Sequence, residues 1–399
     1  MSVNAGDERL PALVIGGGPA GLMAAEVLAD GGVVPVVVDA MPSLGRKFLM
    51  AGKSGLNLTK DEAPDQFLGR ITGDDSLIDT VRRFGPEEVQ NWARALGEPL
   101  FTGSTKRVFP KSMKASPLLR KWLGRLDGAG VQFRTRWRWV GWEGDCWRFE
   151  TAEGPRRVRA DIVVMALGGS SWARLGSNGV WADEFAKAGI KLAPFKPANV
   201  GFSVDWSAHM ARHFGTPMKG TRLASGSVKS RGEWVVSAKG IEGGGVYEVS
   251  AAAREGAALT LDLLPDLSVD EVARKLSKPR AKMSLSNHLR KSLGLSSVQR
   301  ALLQEWGRPL PEGSDFAMRI KSLTVPVIDP LPMDQAISTA GGVAAETLDG
   351  LMLRPRPGTF IAGEMLDWEA PTGGYLLTTC FATGRAAARQ ALDFLSKSK

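Results

Sequence analysis

The sequence predicts an α/β fold in which a domain with a parallel sheet is interrupted by an inserted domain of strands and helices, and three observations predict it. A glycine-rich turn near the N-terminus joins an apolar strand to an apolar helix. A second pair of glycines near the C-terminus opens another long helix. Between them the patterning changes from buried apolar runs to short apolar–polar alternations and then to helical segments. The expected organisation is residues 1–193 and 329–399 as two parts of one domain, with 194–328 inserted between them.

Leu13-Val14-Ile15 is the kind of run found in a strand buried on both faces. The next six residues place G-x-G-x-x-G at Gly16, Gly18 and Gly21, with Pro19 and Ala20 between. Leu22 to Ala29 continues as a helix, Gly31-Gly32 stops it, and Val33 to Val38 is a second strand that ends at Asp39. Gly16 permits the tight turn, Gly18 lets a pyrophosphate approach the backbone, and Gly21 lets helix and strand pack closely. Free N–H groups at the helix start favour phosphate. Asp39 lies about 20 residues past the first glycine, where an acid accepts hydrogen bonds from an adenosine ribose. Together these are the fingerprint of a Rossmann-like dinucleotide-binding domain.

At 399 residues, 43% hydrophobic and 23% charged, the chain has the composition of a globular protein with a sizeable core. Cys146 and Cys380 make neither a disulfide framework nor a zinc cluster, which fits a reducing, cytoplasmic setting. Asp7 and Glu8 stand where a signal peptide carries basic residues, and no run of about 20 apolar residues suggests a membrane span. The net charge of +9 raises the question of nucleic acid. Its densest basic patches are Arg134 to Arg138, where Arg and Trp interleave, and Arg156 to Arg159. Alternation there sets Arg134, Arg136 and Arg138 on one face of a strand, which favours a solvated face over a nucleic-acid surface.

Ala40 to Lys60 is glycine-rich and reads as a loop running along the cofactor from Ala40 onward. Arg46 and Lys47 are placed to neutralise the pyrophosphate, and Asn57 and Thr59 to hydrogen-bond nearer the reactive ring; incidental surface charge is the alternative. Asp74 to Leu96 reads as helix interrupted at Gly85-Pro86, and Arg107 to Pro110 as extended. Ser116 to Gly128 reads as a helix with Ser116 as N-cap. A three-strand meander over Val131 to Val164 follows, then the buried strand Asp161 to Leu167, which delivers Gly168-Gly169 to a place where backbone can touch a ligand. From Pro194 to about Leu264 the pattern is antiparallel strands; Asp266 to Gly307 is helical, with a Ser268-x-x-Glu271 start, and Ala317 to Val327 alternates again. His209 and His213, four apart, lack the glutamate of H-E-x-x-H and read as a surface helical pair, so no metal is expected.

Near the C-terminus, Gly358 to Gly363 is a short strand ending at Glu364. Thr372-Gly373-Gly374-Tyr375 then opens a helix from Leu376 to Leu395. Such a helix start either is an ordinary cap or stabilises the negative charge of a reduced flavin.

These strings resemble one family. GGGPAGLMAA, GRKFLMAGKSGLNLTK, RVFPKSMKA, AISTAGGV and FIAGEMLD followed by TGGYLLTTCFATG, in that order, are similar to the BaiN-like NAD(P)/FAD-dependent oxidoreductases, within the glutathione-reductase-like FAD flavoproteins. The resemblance implies a Rossmann-like FAD-binding domain made from both chain ends. It implies that Gly16, Gly18, Gly21 and Asp39 hold the ADP part and that Arg46 and Lys47 lie along the cofactor. Gly363, Glu364, Gly373, Gly374 and Tyr375 would approach the ribityl chain and flavin. The chain departs from the family string at Ser54-Gly55-Leu56-Asn57, where Gly-Arg-Cys-Asn is usual, and at Glu242-Gly243-Gly244, where Ser-Gly-Pro is usual. With the family cysteine absent, Cys380 reads as a helix-packing residue.

The flavin would carry the redox chemistry. No second G-x-G-x-x-G lies between a strand and a helix, so NAD(P)H, if it is the donor, visits transiently. No side chain stands out as catalytic acid or base. The leading expectation is an FAD-dependent oxidoreductase acting on a small organic substrate. A flavoprotein that modifies RNA and a non-catalytic flavin-binding partner protein are the alternatives.

Overall fold

A computed structural model describes residues 8–53, 55–280 and 282–397; Asp7 and Ser54, named above, lie outside them. The chain divides into two compact units, one running to Lys196 and resuming at Ser338, the other Pro197–Ile337. The junctions fall three residues past 193 and nine past 328.

In the first unit five strands run parallel, in the order Thr359–Ile361, Gly154–Met165, Glu8–Ile15, Val36–Asp39 and Gln132–Thr135. Val36, Val37 and Val38 are buried, as β-branched residues are when a strand is covered on both faces. The register sets Ile15 beside Val38 and Met165, and Met165 beside Ile361, so the carboxyl ends of four strands line up at one edge. Ligands of open α/β sheets bind at that edge. The first helix, Pro19–Asp30, starts from Gly18 with Pro19 in its first turn and ends at Gly31. It lies against the last helix, Tyr375–Lys397, at Gly384, where a Cβ would stand 2.1 Å from the Ala20 carbonyl oxygen. On the first helix the buried Glu26 carboxylate accepts both indole N–H groups of Trp92 and Trp122, at 3.1 and 2.6 Å.

Several expected elements are corrected. The segment 40–60 is not loop throughout: Arg46–Ala51 is helical, capped by Gly45 at φ 66, and Thr59–Lys60 is a strand. The helix expected at Ser116 begins at Ala115 with Lys114 at its cap. Gln132–Thr135 belongs to the parallel sheet, and the meander is Arg138–Glu143, Cys146–Thr151 and Gly154–Met165. Its third strand runs on as the buried strand expected separately at 161–167, because one twelve-residue strand serves both pairings. Arg136 takes φ 61 between two strands, which breaks the alternation read for Arg134, Arg136 and Arg138. Arg134 is tied to Glu8 at 2.6 Å.

The second unit has two antiparallel four-stranded sheets. One orders Phe202–Ser203, Gly240–Glu242, Trp234–Ser237 and Thr216–Met218; the other Val228–Ser230, Arg222–Ser225, Leu259–Asp262 and Leu323–Thr324. Helices Val269–Leu276, Leu285–Leu293, Ser297–Trp306 and Gly313–Lys321 close its core around Trp234, Leu261, Leu289 and Leu302. Ser268 and Glu271 form the expected capping box. The alternation read over 317–327 is helix as far as Lys321, since Phe316, Ala317 and Ile320 share one buried side. His209 and His213 lie on a 3-10 segment, Ala208–His213, and His213 is buried, so they are not a surface α-helical pair. Among the described residues no helix is long and apolar enough to cross a membrane.

Candidate functional site

At the sheet edge, the turns after four parallel strands and the start of the first helix open onto a cleft. Its walls come from chain segments far apart in sequence: Gly16 to Ala20, Asp39 to Lys47, Ala166 to Gly168, Leu175 to Ser177, and Gly363-Glu364.

The three fingerprint glycines differ in what they do. Gly16 has φ +110, and a Cβ there would lie 2.3 Å from the Ala166 carbonyl oxygen. A Cβ on Gly21 would lie 1.9 Å from the Gly16 carbonyl oxygen. The chain itself demands glycine at both positions. Gly18 is another matter. Its backbone, at φ −84 and ψ −176, suits any residue, and an added Cβ would meet nothing within 4 Å. Neither strain nor packing within the chain calls for glycine there.

Asp39 orders the turn. Its Oδ2 accepts the Gly17 N–H and its Oδ1 the Met41 N–H, each at 2.8 Å, leaving a lone pair on each oxygen. Burial raises its carboxyl above the ordinary value of 3.8, against the opposing pull of those two hydrogen bonds and of the Arg46 charge. Arg46 opens the short helix after Gly45 and lines the cleft, and its buried Nε meets no hydrogen-bond partner among the described residues. An orphaned guanidinium N–H at a cleft wall is a donor in want of an acceptor.

Lys47 bridges three parts of the chain. Its Nζ donates to Glu364 Oε2 at 2.6 Å and to Ser171 Oγ at 3.0 Å. The 170–171 backbone is held in turn by Thr339 Oγ1, which accepts both N–H groups at 2.9 and 3.0 Å. Gly168, at φ +76, packs where a Cβ would stand 2.9 Å from Ser177 Oγ. Gly363, at φ +72, donates its N–H to Thr383 Oγ1 at 3.0 Å. Cys380, read as a helix-packing residue, lines the cleft. Burial first, and the Glu364 charge second, push its thiol far above its ordinary range, so it stays protonated.

The remaining expected residues lie outside the cleft walls, and of these Thr59 packs against Gly374 and Tyr375 against Gly373. Thr59 is fully buried, its hydroxyl 2.8 Å from that of Thr378. A Cβ on Gly374 would lie 2.5 Å from the Thr59 backbone, so this glycine is fixed by chain packing. Gly373 sits at φ +124. Tyr375 donates its hydroxyl to Glu62 at 2.5 Å and accepts from Lys60 at 2.9 Å. Asn57 has a buried Oδ1 without a partner among the described residues. Cys380 follows Tyr375 by five residues on one helix, about 8 Å along its axis. Sequence reasoning missed Ser43, Leu175, Gly176 and Ser177 as wall residues; Gly176, at φ +106, was the one with a local signal.

Among the described residues no group of three or more His, Cys, Asp or Glu gathers to hold a metal.

The model of the HI0933-like protein Rossmann domain family matches residues 10–390. The chain is 26% identical over 416 residues to a 3-dehydro-bile acid delta(4,6)-reductase of Clostridium scindens, covering 95% of this chain and 98% of that protein. It is 23% identical over 408 residues to a ribosomal RNA dihydrouridine synthase of Escherichia coli, covering 96% and 98%. Among solved structures it is similar in fold to a 3-ketosteroid-delta4-(5alpha)-dehydrogenase of Rhodococcus jostii, with TM-score 0.53, 16% identity and coverage of 100% of this chain and 98% of that one.

Proposed function

The chain belongs to the HI0933-like Rossmann-domain family, and from that premise we propose that it is a flavin-dependent oxidoreductase that holds FAD in the cleft at the sheet edge. The observation that carries this reading is Gly18, whose missing side chain the protein itself does not need. The unpaired Arg46 Nε and the two remaining lone pairs of Asp39 also fit such a group.

In this reading Asp39 accepts the ribose hydroxyls, and the Gly18 backbone with the start of the first helix meets the pyrophosphate, helped by Arg46. Lys47 and Glu364, already paired, orient the ribityl chain. Asn57, Thr59, Gly373, Gly374 and Tyr375 shape the turn at the flavin end. When bound, FAD supplies the hydride-accepting and hydride-donating centre. The protein's part is to hold it, to exclude water and to set local charge. With its thiol neutral, Cys380 adds no negative charge beside Glu364.

The reaction we propose is hydride transfer to a carbon–carbon double bond conjugated to a carbonyl on a small organic substrate, with NAD(P)H as transient donor in the cytoplasm. The relative named a delta(4,6)-reductase supports the reaction type. A second reading, reduction of a pyrimidine ring within RNA, has its own support in the charge of +9 and in the relative named a dihydrouridine synthase. An anaerobic screen tests both, following the flavin spectrum of the holoprotein with NADH or NADPH and then with enones or uridine-containing RNA. Reoxidation by one substrate class assigns the reaction; a flavin inert to every reductant refutes both readings.

A further inference from the structure

We propose that the second unit carries a groove for the phosphodiester backbone of a single-stranded RNA; this rests on the second of the two readings above. The groove runs between the 3-10 segment Ala208–His213 and one face of the helix Ser297–Trp306.

The spacing shows how the helix makes it. Ser297, Arg300, Ala301, Gln304 and Glu305 recur at helical intervals and line the groove, continued by Arg308, while Val298, Leu302 and Leu303 are buried in the core. Arg300 lies within the helix and Arg308 just past its end at Trp306, so the groove presents positive charge at more than one point. Arg212 adds a third guanidinium from the opposite wall.

The one carboxylate on the walls among the described residues is engaged. Glu305 accepts the Ser207 N–H and hydroxyl, each at 2.7 Å, and so ties the 3-10 segment to the helix. Arg300 braces the helices through Ser286 Oγ and the Leu295 carbonyl, and among the described residues Arg308 uses only its Nε, toward Gln304 at 2.9 Å. Their remaining donors have no partner among the described residues and can take acceptor oxygens.

Surface arginines alone would be a solvated helix face. His213 makes the difference. It lines the same groove, is 7% exposed, and its buried Nε2 meets no hydrogen-bond partner among the described residues. Burial and the neighbouring Arg212 hold its imidazole below its ordinary value, hence neutral near pH 7. With its proton on Nε2, this ring is a donor without a partner among the described residues, beside guanidiniums and Ser and Gln side chains, and suits a ligand rich in acceptor oxygens. Repeated guanidiniums along a groove, without an aromatic platform on its walls, suit the backbone of a strand more than its bases.

The test uses full-length holoprotein and a fluorescein-labelled single-stranded RNA of twelve uridines, with affinity read by anisotropy over a salt series. Arg212→Gln/Arg308→Gln removes two exposed charges; Lys187→Gln/Lys191→Gln removes two exposed charges from the first unit as a control. The groove variant should bind about tenfold more weakly, and its slope of log affinity against log salt should flatten by about 1.4, at ~0.7 for each phosphate no longer neutralised. The control should match wild type. Equal losses in the two variants, or an unchanged groove variant, overturn the groove while leaving RNA reduction open. Wild type that binds no RNA yet reduces its flavin normally removes the groove and the RNA reading together and leaves the flavin reading standing. Displacement of the RNA by inorganic pyrophosphate at equal phosphate concentration overturns the assignment to a strand.

Discussion

Gly18→Ala separates a ligand's demand for glycine from the chain's own. An alanine Cβ at 18 meets nothing within 4 Å, and the backbone there is extended at φ −84 and ψ −176. The apoprotein should therefore stay close to wild type in stability, about 0.4–1 kcal/mol gained from the stiffer unfolded chain offsetting about 0.7 kcal/mol lost because alanine is a poorer N-cap than glycine. With a pyrophosphate lying against that backbone, the same methyl intrudes on a filled space, and overpacking of that kind costs about 1–3 kcal/mol. Since 1.4 kcal/mol is about tenfold in affinity, FAD binding should weaken by about 5- to 150-fold. Gly21→Ala is the contrast: its Cβ would stand 1.9 Å from a backbone oxygen, so the apoprotein itself should lose stability. Urea unfolding of both apoproteins and quenching of flavin fluorescence on titration give the two numbers. If Gly18→Ala destabilises the apoprotein as Gly21→Ala does, or binds FAD as wild type does, the reasoning is wrong.

Asp39→Ala should strongly lower FAD occupancy of the purified protein, read from its absorbance spectrum. The same substitution should alter the pH profile of apoprotein stability. Because the folded carboxyl titrates above 3.8, its ionised form carries a cost at neutral pH that fades as pH falls through the raised value toward 3.8; the variant should lack that dependence in urea titrations across this window. Lys47→Met leaves Glu364, 12% exposed, without its cation. It should cost about 1–3 kcal/mol, discounted from a fully buried pair because Lys47 is 25% exposed, and Lys47→Met/Glu364→Gln should recover part of the loss in a double-mutant cycle. Gly384→Ala drives a methyl toward the Ala20 carbonyl oxygen at 2.1 Å and should lower thermal stability by at least ~2 kcal/mol, with FAD affinity falling as the first helix shifts.

What could be read from the sequence was what is local. The fingerprint turn, its helix and Asp39 sit within one strand–helix–strand unit, where glycine positions and apolar period fix the geometry. The Lys47 bridge could not be read that way: it spans 124 residues to Ser171 and 317 to Glu364, and no period links such positions. Gln132–Thr135 is half-exposed at the sheet's edge, so its pattern resembled a meander strand until pairing with Val36–Asp39 decided its place. The 317–321 segment was misread because five residues fit either period, and only Phe316 before it and Ala317 and Ile320 within it mark the helical side. Tyr375 was expected beside the flavin on resemblance, and its hydroxyl is held by Lys60 and Glu62, more than 300 residues away in sequence, which no local pattern could show.

The central claim is that this cleft is built around FAD. Isothermal titration of the apoprotein with FAD, with AMP as competitor, tests it most directly. One FAD bound per chain, displaced by AMP and weakened in Gly18→Ala, is the predicted result; no binding heat from a folded apoprotein, or binding indifferent to Gly18 and Asp39, would contradict it.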